Sequence, residues 1–155
     1  MKLGDRDNTT RYASAQIDNL LSRGDYTSAL LLAFIYVDIR LTSLLTDRFS
    51  PSEEKWEELN DLIGNLNFRR RVELCTKKGL FDRLPLEPGQ LGKKFKKLRE
   101  KRNDAAHETR LWKTIGQHDA IAIRERCQFA KEFLAMTTKR HYPPTVDRQT
   151  NRPRT

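Results

Sequence analysis

Asp25-Tyr26-Thr27-Ser28-Ala29-Leu30-Leu31-Leu32-Ala33-Phe34-Ile35-Tyr36-Val37-Asp38-Ile39-Arg40-Leu41-Thr42-Ser43-Leu44-Leu45 is the stretch on which the fold turns. Tyr26, Leu30, Leu31, Phe34, Val37, Leu41, Leu44 and Leu45 recur mostly in steps of three and four, which holds them on one face of a helix for about five turns. Asp25 stands in the N-cap position, directly after the breaker Gly24. Leu32, Ile35, Tyr36 and Ile39 lie off the main face, so the apolar arc is wider than a one-sided surface helix requires. A helix of this kind is central to its bundle or shared with a second subunit.

Working outward, Tyr12, Ile17, Leu20 and Leu21 mark a shorter helix ending near Gly24, and the two helices form a hairpin through a tight Arg23-Gly24-Asp25 turn. Downstream, Ser50-Pro51-Ser52-Glu53 reads as a helix start with Glu53 and Glu54 in its first turn and Trp56, Leu59 and Ile63 on its apolar side. A further helix covers Phe68 to Lys77 and stops before Gly79. Leu84-Pro85-Leu86-Glu87-Pro88-Gly89 is a connector with two prolines. The last two helices are expected over about Gln90–His107 and His118–Lys139. No alternating apolar pattern is long enough to demand a sheet. The expectation is an all-α bundle of five to six helices over residues 8–139, followed by a basic, proline-containing and disordered tail over 140–155. Such a tail is a solvated terminus or an arm adding non-specific phosphate affinity.

The 155 residues suffice for one domain with a real core and exclude most multidomain enzymes. Lys and Arg number 30 against 21 Asp and Glu, a net charge of +9, which points to an anionic partner such as nucleic acid. The excess is unevenly placed. Residues 1–64 hold 7 basic and 11 acidic side chains, a net of −4, while residues 65–155 hold 23 and 10, a net of +13. Cys75 and Cys127 are too few and too far apart for a disulfide framework or a zinc site, which fits a reducing compartment. The N-terminal residues run into polar sequence, and no stretch approaches the roughly 18 apolar residues of a membrane span. The expectation is a cytoplasmic protein that meets no membrane and needs no metal or cofactor.

Within Lys93–Arg102 are seven basic residues, Lys93, Lys94, Lys96, Lys97, Arg99, Lys101 and Arg102, against one acid, Glu100. Most of them must face solvent, as charge runs do. Arg102 departs from that face. Counted from Leu91, Phe95, Leu98, Arg102 and Ala105 fall at about 40°, −20°, 20° and −40°, so Arg102 lies inside the apolar stripe. A guanidinium there costs several kcal/mol unless an acid, a subunit boundary or a ligand compensates it. Asp38 is the acid expected to pair with it. Asn103 and His107, four residues apart, share one side of the same helix, and Ala105 and Ala106 between them allow close approach. Arg, Asn and His flanked by lysines suit reaction at a phosphate. The same residues also admit a structural reading, with Asn103 a surface amide, His107 stabilised at a helix C-terminus and Arg102 in an internal ion pair.

The stretch Leu98-Arg-Glu-Lys-Arg-Asn-Asp-Ala-Ala-His107 resembles the R-x4-6-H signature of HEPN domains, with Arg102 as its arginine, Asn103 as the polar residue after it and His107 as its histidine. Arg23-Gly24-Asp25-Tyr26, Ala29-Leu30-Leu31-Leu32-Ala33 and Val37-Asp38 to Leu41 are similar to the family's first hairpin, in which an acid commonly falls about where Asp38 lies. The resemblance spans roughly residues 10–138. It implies an up-and-down helical bundle that dimerises so that two such motifs face one another. Many relatives of this kind are metal-independent endoribonucleases of toxin–antitoxin, phage-defence or RNA-processing systems, and an antitoxin or other regulatory protein is an implied partner. A subset carries a tyrosine two positions after the histidine; Thr109 stands there in this chain, so regulation through such a tyrosine is not implied.

The chemistry is coherent without metal ligands. Attack of a 2′-OH on the adjacent phosphate needs a base, stabilisation of the developing charge, and an acid for the leaving 5′ oxygen. A histidine with a reference pKa of about 6.5 serves in either proton role near neutrality. His107 is assigned proton transfer, Arg102 the scissile phosphate, and Asn103 the orientation of the phosphate or of His107. Lys93, Lys94, Lys96, Lys97 and Arg99 would hold the RNA backbone without reading bases. Two readings compete: a non-catalytic dimer that binds nucleic acid or a partner protein, and a DNA-binding regulator, for which the chain offers basic helices but no convincing helix-turn-helix. Trp56 and Trp112 are packing residues on general grounds, with base stacking as the alternative.

Overall fold

The computed structural model describes residues 3–111 and 117–138, among which there are six helices and no strand. They are α1 (Leu3–Ser22), α2 (Tyr26–Phe49), α3 (Trp56–Gly64), α4 (Phe68–Lys77), α5 (Pro88–Leu111) and α6 (Gln117–Met136). The all-helical expectation holds, and α2 is the central element, packed against each of the other five helices. Ala29, Leu30, Ala33, Phe34, Val37, Leu41, Leu44 and Leu45 form its buried face. Side-chain pairs give the directions. Arg6 reaches Ser43 and Asp47, so α1 runs antiparallel to α2. Arg124 meets Tyr26 while Arg40 meets Leu134, so α6 runs parallel to α2. Lys94 lies over Phe129 and Lys101 bonds Asp119, so α5 is antiparallel to both α6 and α2.

Two glycines stop helices in the same way. At the end of α1, Gly24 takes φ +75°, Gly24 N–H donates to Leu21 O at 3.0 Å, and Asp25 N–H donates to Leu20 O at 2.9 Å. At the end of α4, Gly79 takes φ +71°, with Gly79 N–H on Thr76 O at 3.1 Å and Leu80 N–H on Cys75 O at 2.9 Å. Each is a Schellman termination, in which the left-handed residue lets the chain return onto two orphan carbonyls. The start of α4 is set by Asn67, whose side chain accepts from Arg70 N–H at 2.8 Å. Between α4 and α5, Phe81 anchors the connector against Phe95 and Phe133, with ring centroids 5.5 and 6.0 Å away. Phe95 also meets Phe68 and Phe129, so a single aromatic cluster joins α4, α5 and α6.

Several boundaries differ from the sequence reading. α1 begins at Leu3, ahead of residue 8. Its first turns are held by polar contacts: Arg6 bonds Ser43 and the carboxylate of Asp47, and Thr10 accepts from Arg40. An apolar period cannot register such contacts. Tyr12, expected on the packed side, is 60% exposed, and Ala13 and Ile17 face the core instead. α3 starts at Trp56 because Ser50 to Lys55 form turns, so Glu57 and Glu58 rather than Glu53 and Glu54 occupy its first turn. Pro88 opens α5, where a missing N–H is harmless. α2 is also long and apolar enough to cross a membrane, which corrects the reading that no stretch approaches that length; 67% of its apolar window is buried against the other helices.

Candidate nucleic-acid interface

α5 supplies the site. Leu91, Phe95, Leu98 and Ala105 are buried, and Arg102 falls among them as its helical angle requires. Lys93, Lys94, Lys96 and Lys97 are exposed on the opposite side, with Arg99 half-buried beside them. Lys101 is tied to α6 through Asp119 at 2.9 Å and so is less available to a ligand. Asn103 is exposed. His107 lies in the last turns of α5, where the side chains of residues 106–111 are outside the described part; so are Trp112 and the tail 140–155. Since α5 is helical through Leu111, position 107 stands one turn beyond Asn103.

Arg102 does not pair with Asp38. Its guanidinium carbon lies 4.1 Å from the centroid of the Phe34 ring, its Nε is buried with no hydrogen-bond partner, and no carboxylate among the described residues forms an ion pair with it. A cation over an aromatic face is attracted by the ring quadrupole, typically by about 1 kcal/mol and more when desolvated. That keeps the guanidinium in place without neutralising it. Asp38 instead receives Arg71 of α4. Arg71 is 4% exposed and also donates to Ile63 O at 3.1 Å, Gly64 O at 2.9 Å and Leu66 O at 2.5 Å, where carbonyls at and just past the α3 C-terminus favour a cation. A helical count could have found it: Arg71 shares the face of Phe68, Val72 and Cys75 and is thereby directed inward, unlike Arg69 and Arg70.

Two further arginines fill the opposite end of the bundle. Arg40 is 1% exposed and donates to Leu134 O at 2.7 Å, Thr137 Oγ1 at 2.8 Å, Thr10 Oγ1 at 2.9 Å and Arg6 O at 3.2 Å. Burial, and to a smaller degree the charge of Arg6, lowers its pKa to about 9, so it stays a cation at neutral pH. Arg6 is paired with Asp47, whose second oxygen accepts from Trp56 Nε1 at 2.7 Å. Burial raises the Asp47 carboxyl above its usual range despite the opposing pull of Arg6 and Trp56. These arginines are structural. Burial also raises both cysteine thiols, that of Cys127 to about 12, so neither offers a thiolate nucleophile near neutrality.

Between α2, α3 and the start of α4 lies a groove of about 440 Å³, lined among others by Asp38, Trp56, Asn60, Asp61 and Arg71. Sequence reading gave no sign of it, because its residues come from three elements with unrelated periods. Asp38 joins it to the α5 site: Phe34, which carries Arg102, and Asp38 stand one turn apart on the same side of α2. Compared with protein families, with curated proteins and with solved structures, the chain has no match in any of the three.

Proposed function

We propose that the chain is a HEPN-type endoribonuclease that acts without metal as a homodimer, with Arg102, Asn103 and His107 as its catalytic residues. The observation that carries this reading is Arg102. Arg6, Arg40 and Arg71 are each bonded to several protein oxygens, whereas Arg102 is held on an aromatic face with its charge left for an outside anion. A scissile phosphate is the anion that a neighbouring lysine row, exposed at Lys93, Lys94, Lys96 and Lys97, would deliver.

In the proposed reaction the 2′ oxygen forms a bond to phosphorus and the bond from phosphorus to the 5′ oxygen breaks. The 2′-OH proton passes to His107 of one subunit, and the leaving oxygen receives a proton from the second copy's histidine. Arg102 carries the charge of the phosphorane, and Asn103 orients the phosphate or His107. The products are a 2′,3′-cyclic phosphate and a 5′-hydroxyl. Pairing of copies is supported by Ile35 and Ile39, one turn apart on α2 and 50% and 45% exposed. A toxin–antitoxin, phage-defence or RNA-processing setting, a regulatory protein partner and a cytoplasmic location belong to the same reading. Incubation of total RNA and tRNA with the purified protein in EDTA tests it. Cleavage with cyclic-phosphate ends is expected; salt-sensitive RNA binding with intact RNA favours the non-catalytic binding module.

A further inference from the structure

We propose that the groove between α2, α3 and α4 is a base-binding subsite for guanine, which would set where the RNA is cut; this rests on the nuclease reading above. Its lining is mixed. Asp38 and Asp61 contribute carboxylates, Asn60 an amide, Trp56 an aromatic wall and Arg71 a cation. Arg71 is nine-tenths buried, and its Nε has no acceptor within the protein. The volume of about 440 Å³ falls in the range of roughly 300–1,000 Å³ typical of small-molecule sites.

Several of these groups are fixed in orientation. Trp56 Nε1 is held by Asp47 at 2.7 Å, which leaves the ring as a rigid wall. Asn60 Oδ1 accepts from Thr46 Oγ1 at 2.9 Å, which leaves the amide NH2 as the donor. Asp61 is exposed and has no structural bond to give up. The two carboxylates, with Glu57 and Glu58 beside them on α3, repel a phosphate, and Arg71 already answers Asp38 as its cation. What remains favoured is an uncharged planar ring that presents adjacent N–H donors to a carboxylate and an acceptor to an amide. The Watson–Crick edge of guanine has this pattern, with N1–H and the 2-amino group beside O6. Stacking on a tryptophan adds affinity without choosing the base.

The groove is also in reach of the proposed phosphate site. Four residues of α2 separate Phe34, beneath Arg102, from Asp38 at the groove, a rise of about 6 Å. A nucleotide whose phosphate rests on Arg102 can therefore place a flanking base there.

Guanosine, adenosine, cytidine and uridine, which carry no phosphate, are titrated into the full chain by calorimetry. Guanosine is expected to bind at least about tenfold tighter than the other three, and Asp61→Asn to lose that margin. His107→Ala is expected to bind guanosine as the wild type does. In the cleavage assay the wild-type cut sites should adjoin G, and Asp61→Asn should spread them over other bases. Equal binding of the four nucleosides, or guanosine selectivity unchanged in Asp61→Asn, overturns the assignment. Selective guanosine binding by a chain that cuts no RNA upholds the groove and rejects the nuclease reading, and cutting without that selectivity does the reverse.

Discussion

Four arginines with buried groups sort by what meets their charge. Arg71 and Arg6 have carboxylates, Arg40 has four oxygens from α1 and the end of α6, and Arg102 has the face of Phe34. The last arrangement costs stability and leaves a charge open, which suits a residue kept for a ligand. Arg102→Met keeps most of the apolar volume and removes the charge. Urea unfolding of this variant should give a stability within about 1 kcal/mol of wild type or above it, while RNA cleavage falls at least about 100-fold. Asp47 permits a test through pH. Its folded pKa is raised, so between the ordinary value of 3.8 and the folded value the native state binds more protons than the unfolded chain. Stability from this group is therefore largest in acid and is lost as pH rises through the folded pKa. The stability of wild type relative to Asp47→Asn should fall between about pH 3.5 and about pH 6, as measured by thermal unfolding.

At the scale of elements, the two Schellman glycines separate conformational from steric cost. A Cβ at Gly24 meets nothing within 4 Å, so Gly24→Ala should cost only the left-handed penalty, about 1 kcal/mol. A Cβ at Gly79 would lie 2.8 Å from Asp82 Oδ2, and Gly79→Ala should destabilise more, by the margin needed to move that side chain. Calorimetric unfolding of the two variants compares them directly. Both glycines, and the extent of α4, are legible in the sequence because chain termination is local chemistry. The first turns of α1 are not legible, since Arg6 and Thr10 pack through polar atoms and leave no apolar period. The inward direction of Arg102 follows from its angle on α5 alone. Its neighbour does not: a helical angle fixes which side a residue faces, and only the assembled bundle decides that α4 brings Arg71 to Asp38 while α2 brings Phe34 to Arg102.

Across the whole molecule, charge divides along the chain, with −4 in residues 1–64 and +13 in residues 65–155. The acidic groups of α3 and the groove repel phosphates, and the α5 lysines attract them, so an RNA is steered along one side of the bundle. Replacing Lys93, Lys94, Lys96 and Lys97 with Gln should weaken RNA binding uniformly across sequences. It should also reduce the slope of log K against log salt by about 0.7 for each phosphate that the variant no longer neutralises. Binding of this kind needs no catalysis, so the central claim stands on the proton-transfer residue. The most direct measurement is the rate of RNA cleavage in EDTA by wild type and His107→Ala, prepared identically and with product ends determined. The account predicts cyclic-phosphate ends from wild type and a rate at least about 100-fold lower for the variant. Equal rates from the two proteins would contradict it.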